Sequence, residues 1–226
     1  MNYAIILAGG TGTRAGGPLP KQFQEIRGRR MLWWSVDAFR SFDPDCRIVL
    51  VVHPDFIGCL KDFLVGEADG FEMGIDIVPG GSSRIESVRN GLDFIDGYLE
   101  KENLAGEDIR VFIHDAARPF VTTDLIARGS KAVKSEFGAV PAIPVTDSIR
   151  MITSTGSRAV DRSDFVAVQT PQVFMFHDIK SAYDSVKEES GLTDDASVAE
   201  RAGLNIVLFD GDPANKKITN PSDFGN

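Results

Sequence analysis

Apolar residues fall along this chain in short runs separated by amphipathic stretches of helical period. Tyr3 to Leu7 (YAIIL), Arg47 to Val52 (RIVLVV), Ile75 to Val78 and Val111 to Ile113 are compact and rich in Val and Ile, and they end at glycine, proline or polar residues. That pattern predicts buried parallel strands. Helical spacing occupies the intervals between them, at about residues 31 to 41, 55 to 64, 84 to 101 and 122 to 135. Alternating strands and helices predict a doubly wound α/β fold with a mostly parallel sheet, whose ligands sit beyond the carboxyl ends of the strands. The unusual residues follow that rule: Gly9 to Lys21 follow the first strand, Pro79 to Ser83 the third, and His114 to Pro119 the fourth.

From residue 138 the rhythm changes. AVPAIPVTDSIRMI and SRAVDR read as short extended pieces with turn residues, too brief for helices, and predict a projecting β-arm at about residues 145 to 163. The chain then returns through FVAVQTPQVF, two helical stretches near 176 to 188 and 194 to 202, and a last strand, NIVLFDG. With no internal repeat, low-complexity tract or linker, residues 1 to 226 are expected to form one domain.

Composition narrows the function classes. The chain has 226 residues, 42% hydrophobic and 25% charged, which suits a globular domain able to bury a sizeable core. No apolar run approaches the roughly 20 residues of a membrane span, and the N-terminus lacks a signal-peptide pattern, so a cytoplasmic location without membrane contact is expected. Cys46 and Cys59 lack metal-type spacing and are expected to be reduced. A net charge of -9 argues against a nucleic-acid partner, but a cleft lined by a few cations can still hold a small anion.

The stretch LAGGTGTRAGGPLPK, residues 7 to 21, points to such an anion. Gly10 to Ala15 formally fit the G-x-G-x-x-G/A dinucleotide fingerprint, but Pro18 and Pro20 block the helix it requires, and the second strand ends in His53-Pro54 with no acid for a ribose. A P-loop needs Lys followed by Ser or Thr, and Lys21 precedes Gln22. What remains is a glycine-rich loop with two cations, Arg14 and Lys21, suited to a nucleoside triphosphate attacked at its α-phosphate.

This loop resembles the signature of sugar-phosphate and polyol-phosphate nucleotidyltransferases. PGGSSRIESVRNGL, HDAARPF, PVTDSIR, QTPQVF, TDDAS and NKKIT follow in that family's order and are most similar to the 2-C-methyl-D-erythritol 4-phosphate cytidylyltransferase family. The ribitol 5-phosphate branch is the alternative, since LAGG and PLPKQF look at least as much like it.

The resemblance implies a Rossmann-like nucleotidyltransferase fold, the substrates CTP and a polyol phosphate, and a homodimer in which the arm reaches a partner subunit. It assigns catalysis to Arg14, Lys21, Arg162 and Lys217, and nucleotide binding to Ala8, Gly9, Gly10, Gly12, Gly80, Ser87, Asp115 and Ala116. Arg118, Ser148 and Thr170 would hold the acceptor, with Ser148 standing where the methylerythritol branch typically has threonine. Magnesium is expected mainly on the CTP phosphates, since the sequence offers no dedicated metal cage. Asp115 reads equally as a metal or ribose neighbour and as a turn residue, and Arg84 either faces the triphosphate or pairs on its helix. TDDAS reads as a helix cap and His114 as structural.

Overall fold

A computed structural model describes residues 1–10, 20–67, 74–104 and 108–225. Eight strands form the main sheet: β1 (Asn2–Ala8), β4 (Arg47–Val52), β5 (Ile75–Pro79), β6 (Arg110–Asp115), β7 (Phe137–Pro144), β10 (Val166–Val168), β11 (Gln172–Met175) and β12 (Asn205–Asp210). Two small hairpins, β2 (Glu25–Ile26) with β3 (Arg29–Arg30) and β8 (Arg150–Thr153) with β9 (Gly156–Ala159), stand apart from it. The helices are α1 (Met31–Phe42), α2 (Ile57–Glu67), α3 (Arg84–Lys101), α4 (Thr123–Ala132), α5 (Phe176–Ser185) and α6 (Asp195–Arg201).

Side-chain alternation along the central strands explains why helices cover both faces. In β1, Tyr3 and Ile5 join Val49 and Val51 of β4 in a core packed by α3, α5 and α6. Ala4, Ile6 and Ala8 join Ile48, Leu50 and Val52 in a second core under α1, α2 and α4. Helix α3 presents Ile85, Val88, Leu92, Ile95 and Leu99 to the first core, a 3-4-3-4 spacing along one face. Each fully buried aliphatic side chain of this kind contributes about 1.5–3 kcal/mol of transfer free energy. Helix starts are capped as their sequences require: Ser83 accepts the Glu86 N–H, Thr122 accepts the Leu125 N–H, and Asp194 forms a capping box with Ser197.

β1 pairs in parallel with β4 on one side and β6 on the other, so the chain winds outward through β4 and β5 and returns past β1. The crevice beyond the ends of β1 and β6 is thus the topological switch point. At the far side, β11 runs antiparallel to both β6 and β7, and β12 runs parallel to β7.

One part of the sequence reading needs refinement. The stretch from residue 138, read as short extended pieces, is extended as expected but through Pro144 forms the core strand β7, with Ala139 and Val140 fully buried. The projecting hairpin begins after it, and β8 and β9 are exposed throughout.

Candidate active site

Strands β1, β4, β5 and β6 end level with one another: Ala8 is in register with Val52, Val52 with Pro79, and Leu7 with Asp115. Their following loops border a cavity of about 560 Å³ lined by Ala8, Gly9, Gly10, Lys21, Gln22, Ser83, Arg84, Ser87, Asp115 and Lys217.

One end of the cavity is narrow and made of backbone. A methyl group added at Gly80 would lie 3.2 Å from Ser87 Oγ and 3.7 Å from Gly9 Cα, so a side chain there would crowd the Ser87 hydroxyl, and glycine avoids displacing it. Ser87 Oγ donates to Ser83 O (2.8 Å) and accepts the Gly81 N–H (3.1 Å). Gln22, buried on the opposite wall, donates its side-chain amide to Ala8 O (2.6 Å) and Gly10 O (2.8 Å), which fixes where the glycine loop leaves β1.

The other end is charged. Lys217 Nζ donates to Asp115 Oδ2 at 2.7 Å, while its side chain keeps 43% exposure toward the cavity. Lys21 Nζ donates to the Ile218 carbonyl at 2.6 Å, which brings the two lysines to the same short segment. Arg84 pairs with Asp195 through both terminal nitrogens, at 2.8 and 2.7 Å, and its Nε lies 3.5 Å from Asp115 Oδ1. Burial pushes the Asp115 carboxyl upward, but Arg84 and Lys217, with the Lys217 hydrogen bond and Arg118, overcome it and hold the group ionised well below the usual carboxylate range. Burial likewise opposes the Arg84 charge, and Asp195 and Asp115 more than offset it.

Behind Asp115 a buried chain of hydrogen bonds sets proton positions. Thr170 Oγ1 accepts the Asp115 N–H (3.1 Å) and contacts His114 Nδ1 (3.1 Å), and His114 Nε2 contacts Arg118 O (3.2 Å). A carbonyl can only accept, so the His114 proton is on Nε2 and the Thr170 hydroxyl donates to Nδ1. Burial lowers the His114 pKa to about 4, which keeps the ring neutral.

The residues named from sequence therefore divide into groups. Ala8, Gly9, Gly10, Lys21, Ser87, Asp115 and Lys217 share the cavity, and Gly80 abuts Ser87. Ala116 lies behind it, its N–H bonded to Leu7 O. Arg118 reaches the carbonyls of Asn215 (2.9 Å) and Val168 (3.4 Å), and Thr170 is buried against His114. Gly12 and Arg14 lie outside the described residues. Ser148 is exposed near the arm, and Arg162 lines a separate cavity of about 680 Å³ at the arm's base, where it donates to Thr146 O. Within one chain, neither is brought to the first cavity.

Sequence reasoning missed Gln22, Tyr183, Asp195 and Asn215. Asn215 is fully buried and donates to Thr170 O at 2.8 Å; its place inside NKKIT was the available signal. Among the described residues, no group of three or more His, Cys, Asp or Glu side chains could hold a metal ion.

Comparison with known proteins bears on the family and the fold. The family described as 2-C-methyl-D-erythritol 4-phosphate cytidylyltransferase matches residues 2–226. The chain belongs to this family. A relative of that name from Cereibacter sphaeroides is 43% identical over 225 residues, covering 98% of this chain and 92% of its own. One from Phocaeicola vulgatus is 38% identical over 222 residues, covering 98% and 95%. Among solved structures, the 4-diphosphocytidyl-2C-methyl-D-erythritol synthase of Anaerococcus prevotii superposes with a TM-score of 0.81 at 25% identity, covering 99% of this chain and 92% of that one. The Thermus thermophilus 2-C-methyl-D-erythritol 4-phosphate cytidylyltransferase gives 0.71 at 29% identity, covering 99% and 96%. The family's α/β nucleotidyltransferase fold is the one described above, and this chain is a nucleotidyltransferase. The ribitol alternative draws no support from these relatives.

Proposed function

We propose that this protein joins CTP to 2-C-methyl-D-erythritol 4-phosphate, giving 4-diphosphocytidyl-2-C-methyl-D-erythritol and pyrophosphate in the non-mevalonate isoprenoid pathway. The observation that carries the reading is the meeting of Lys21, Lys217 and Asp115, distant in sequence, at the switch-point cavity of a chain in this family.

An acceptor phosphate oxygen bonds to the α-phosphorus, and the bond to the bridging oxygen breaks, so pyrophosphate leaves with that electron pair. A phosphate monoester has a second pKa near ~6, so the attacking group is already largely dianionic at neutral pH and needs no general base. Repulsion between anions is the larger obstacle: two unit charges about 4 Å apart repel by roughly 4 kcal/mol at an effective dielectric near 20. Lys21 and Lys217, both on the cavity wall, would offset it, and the family resemblance gives Arg14, outside the described residues, the same task. Because Lys21 and Lys217 are held by carbonyl and carboxylate partners, little reorganisation is needed as charge develops on the transferring phosphate. The cytosine would occupy the narrow end, where fixed backbone groups around Gly9, Gly10, Gly80 and Ser87 leave a mismatched base unpaired.

A magnesium ion fits this cavity in a limited way. With Asp115 the carboxylate that the described residues bring to the wall, the ion would rest mainly on triphosphate oxygens, with Asp115 as the protein's contact. Bound there, it neutralises phosphate charge.

For the acceptor, Arg118 and Thr170 stand beside Asp115, whereas Ser148 and Arg162 belong to the arm. A homodimer reconciles these positions, with the arm of one chain reaching the other. Exposed apolar residues on and beside the arm support it: Ile152 is 80% exposed, with Met151, Phe165, Val166 and Leu208 also exposed.

Pyrophosphate release, measured with CTP and each polyol phosphate in parallel and with ATP, GTP and UTP as controls, tests the assignment. Turnover with CTP and the methylerythritol phosphate is expected; preference for ribitol 5-phosphate would overturn the acceptor.

A further inference from the structure

Asp195 is fully buried although it begins α6, where an acidic residue would ordinarily face water. Its carboxylate takes both terminal nitrogens of Arg84 and also the Tyr183 hydroxyl, at 2.6 Å. The helix that carries it is fixed to the sheet by Gln172 of β11, which donates to Asp194 Oδ2 and accepts the Ala196 N–H, both at 2.8 Å. Arg84 thus has its fork fully engaged on the side away from the cavity. Only Nε turns toward Asp115, at 3.5 Å, while Asp115 Oδ2 is held by Lys217 at 2.7 Å.

This is a competition between two cations for one carboxylate. A guanidinium whose fork is free pairs with a carboxylate through two parallel hydrogen bonds, a geometry a single ammonium contact cannot match, so a free fork competes for that carboxylate. Arg84 is next to Asp115 and is restrained from that pairing by Asp195. We infer that Asp195, backed by Tyr183, is a positioning residue that occupies the Arg84 fork, reserves Asp115 for Lys217 and so fixes the Lys217 ammonium at the phosphate end of the cavity. The inference rests on the cytidylyl-transfer reading for its kinetic consequences, but the pairing itself can be measured without turnover.

In Asp195→Asn, an amide N–H opposes an arginine N–H, and the fork turns to Asp115. A shift of Lys217 by about 1 Å should lower kcat by about 10²-fold, with the KM for CTP within about twofold of wild type. Tyr183→Phe leaves the charges in place, loosens the carboxylate and should lower kcat several-fold. The decisive variant is Arg84→Met with Asp195→Asn, which removes both charges of the buried pair and so leaves neither uncompensated. It has no competing fork, so its kcat should exceed that of Asp195→Asn alone by about tenfold or more.

A purely stabilising ion pair would not produce such recovery. Mass-spectrometric measurement of Lys217 acetylation in the CTP-free protein gives the second readout: labelling should accelerate in Asp195→Asn and return toward the wild-type rate in the double variant. Unchanged labelling, a loss confined to KM, or a double variant no faster than Asp195→Asn would overturn the inference. If Asp195→Asn does not fold, Tyr183→Phe and the double variant, read against wild type, decide it by the same two measurements. Wild-type protein inactive toward CTP and methylerythritol phosphate would refute the reaction instead, while the labelling rates would still decide the pairing.

Discussion

His114 should govern how stability changes with pH in mildly acidic solution. Its pKa falls from an ordinary 6.5 to about 4 in the folded protein, because burial disfavours the imidazolium by more than the neighbouring Asp115 charge favours it. The unfolded chain therefore binds the proton more readily than the folded one. For a folded pKa below the unfolded value, the stability contribution is present above the unfolded pKa and is lost as pH falls toward the folded one. Between about pH 7 and pH 5, these two values correspond to a loss of about 2 kcal/mol. Urea unfolding followed by the fluorescence of Trp33 and Trp34 would measure it, with the wild type compared with His114→Gln at each pH. Glutamine keeps a donor for Arg118 O but has no proton to gain, so the difference between the two proteins isolates the imidazole from carboxylates that titrate in both. The variant should be less stable at neutral pH and should lose about 2 kcal/mol less on acidification. Parallel stability curves for the two proteins would refute the reasoning.

Four further outcomes follow from named contacts. Lys21→Ala should lower kcat by about 10²–10³-fold, the scale seen when one fixed donor to a developing anion is removed, while CTP binding remains measurable by calorimetry. Gln22→Met leaves the Ala8 and Gly10 carbonyls without their donor and should cost about 1–3 kcal/mol of stability, with a raised KM for CTP in steady-state assays. Arg162→Ala should raise the acceptor KM more than the CTP KM; mixing it with Lys21→Ala should restore activity through hybrid dimers if the arm acts between subunits. At Gly138 an added methyl would strike the Phe174 ring, so Gly138→Ala should destabilise by about 1–3 kcal/mol in urea titrations while leaving the kcat of the folded enzyme unchanged.

The central sheet was legible because β1 and β4 carry apolar residues on both faces, the mark of a strand covered twice. β7 was not, because Gly138, Pro141 and Pro144 break the local preference for a central strand. The structure accommodates them: Pro141 contributes through its carbonyl, which accepts the Gln169 N–H at 2.8 Å, and Pro144 sits where the strand ends. At the site, the cavity residues announced themselves through glycine and lysine in ordered motifs. Asp195 did not, because helix capping explained TDDAS locally, whereas its partner Arg84 is 111 positions away. Only the fold brings that distance to hydrogen-bond length.

The hydrogen bond from Lys21 to the Ile218 carbonyl spans 197 positions of the chain. During synthesis Lys21 precedes the carbonyl that anchors it by 197 positions, and Lys217 arrives with that carbonyl. A nascent polypeptide can assemble β1 through β6 and still lack both Lys217 and the anchor of Lys21. Nascent chains stalled before residue 215 should accordingly consume no nucleotide, and the onset of turnover would time the docking of residues 215–218 against Lys21 and Ala117.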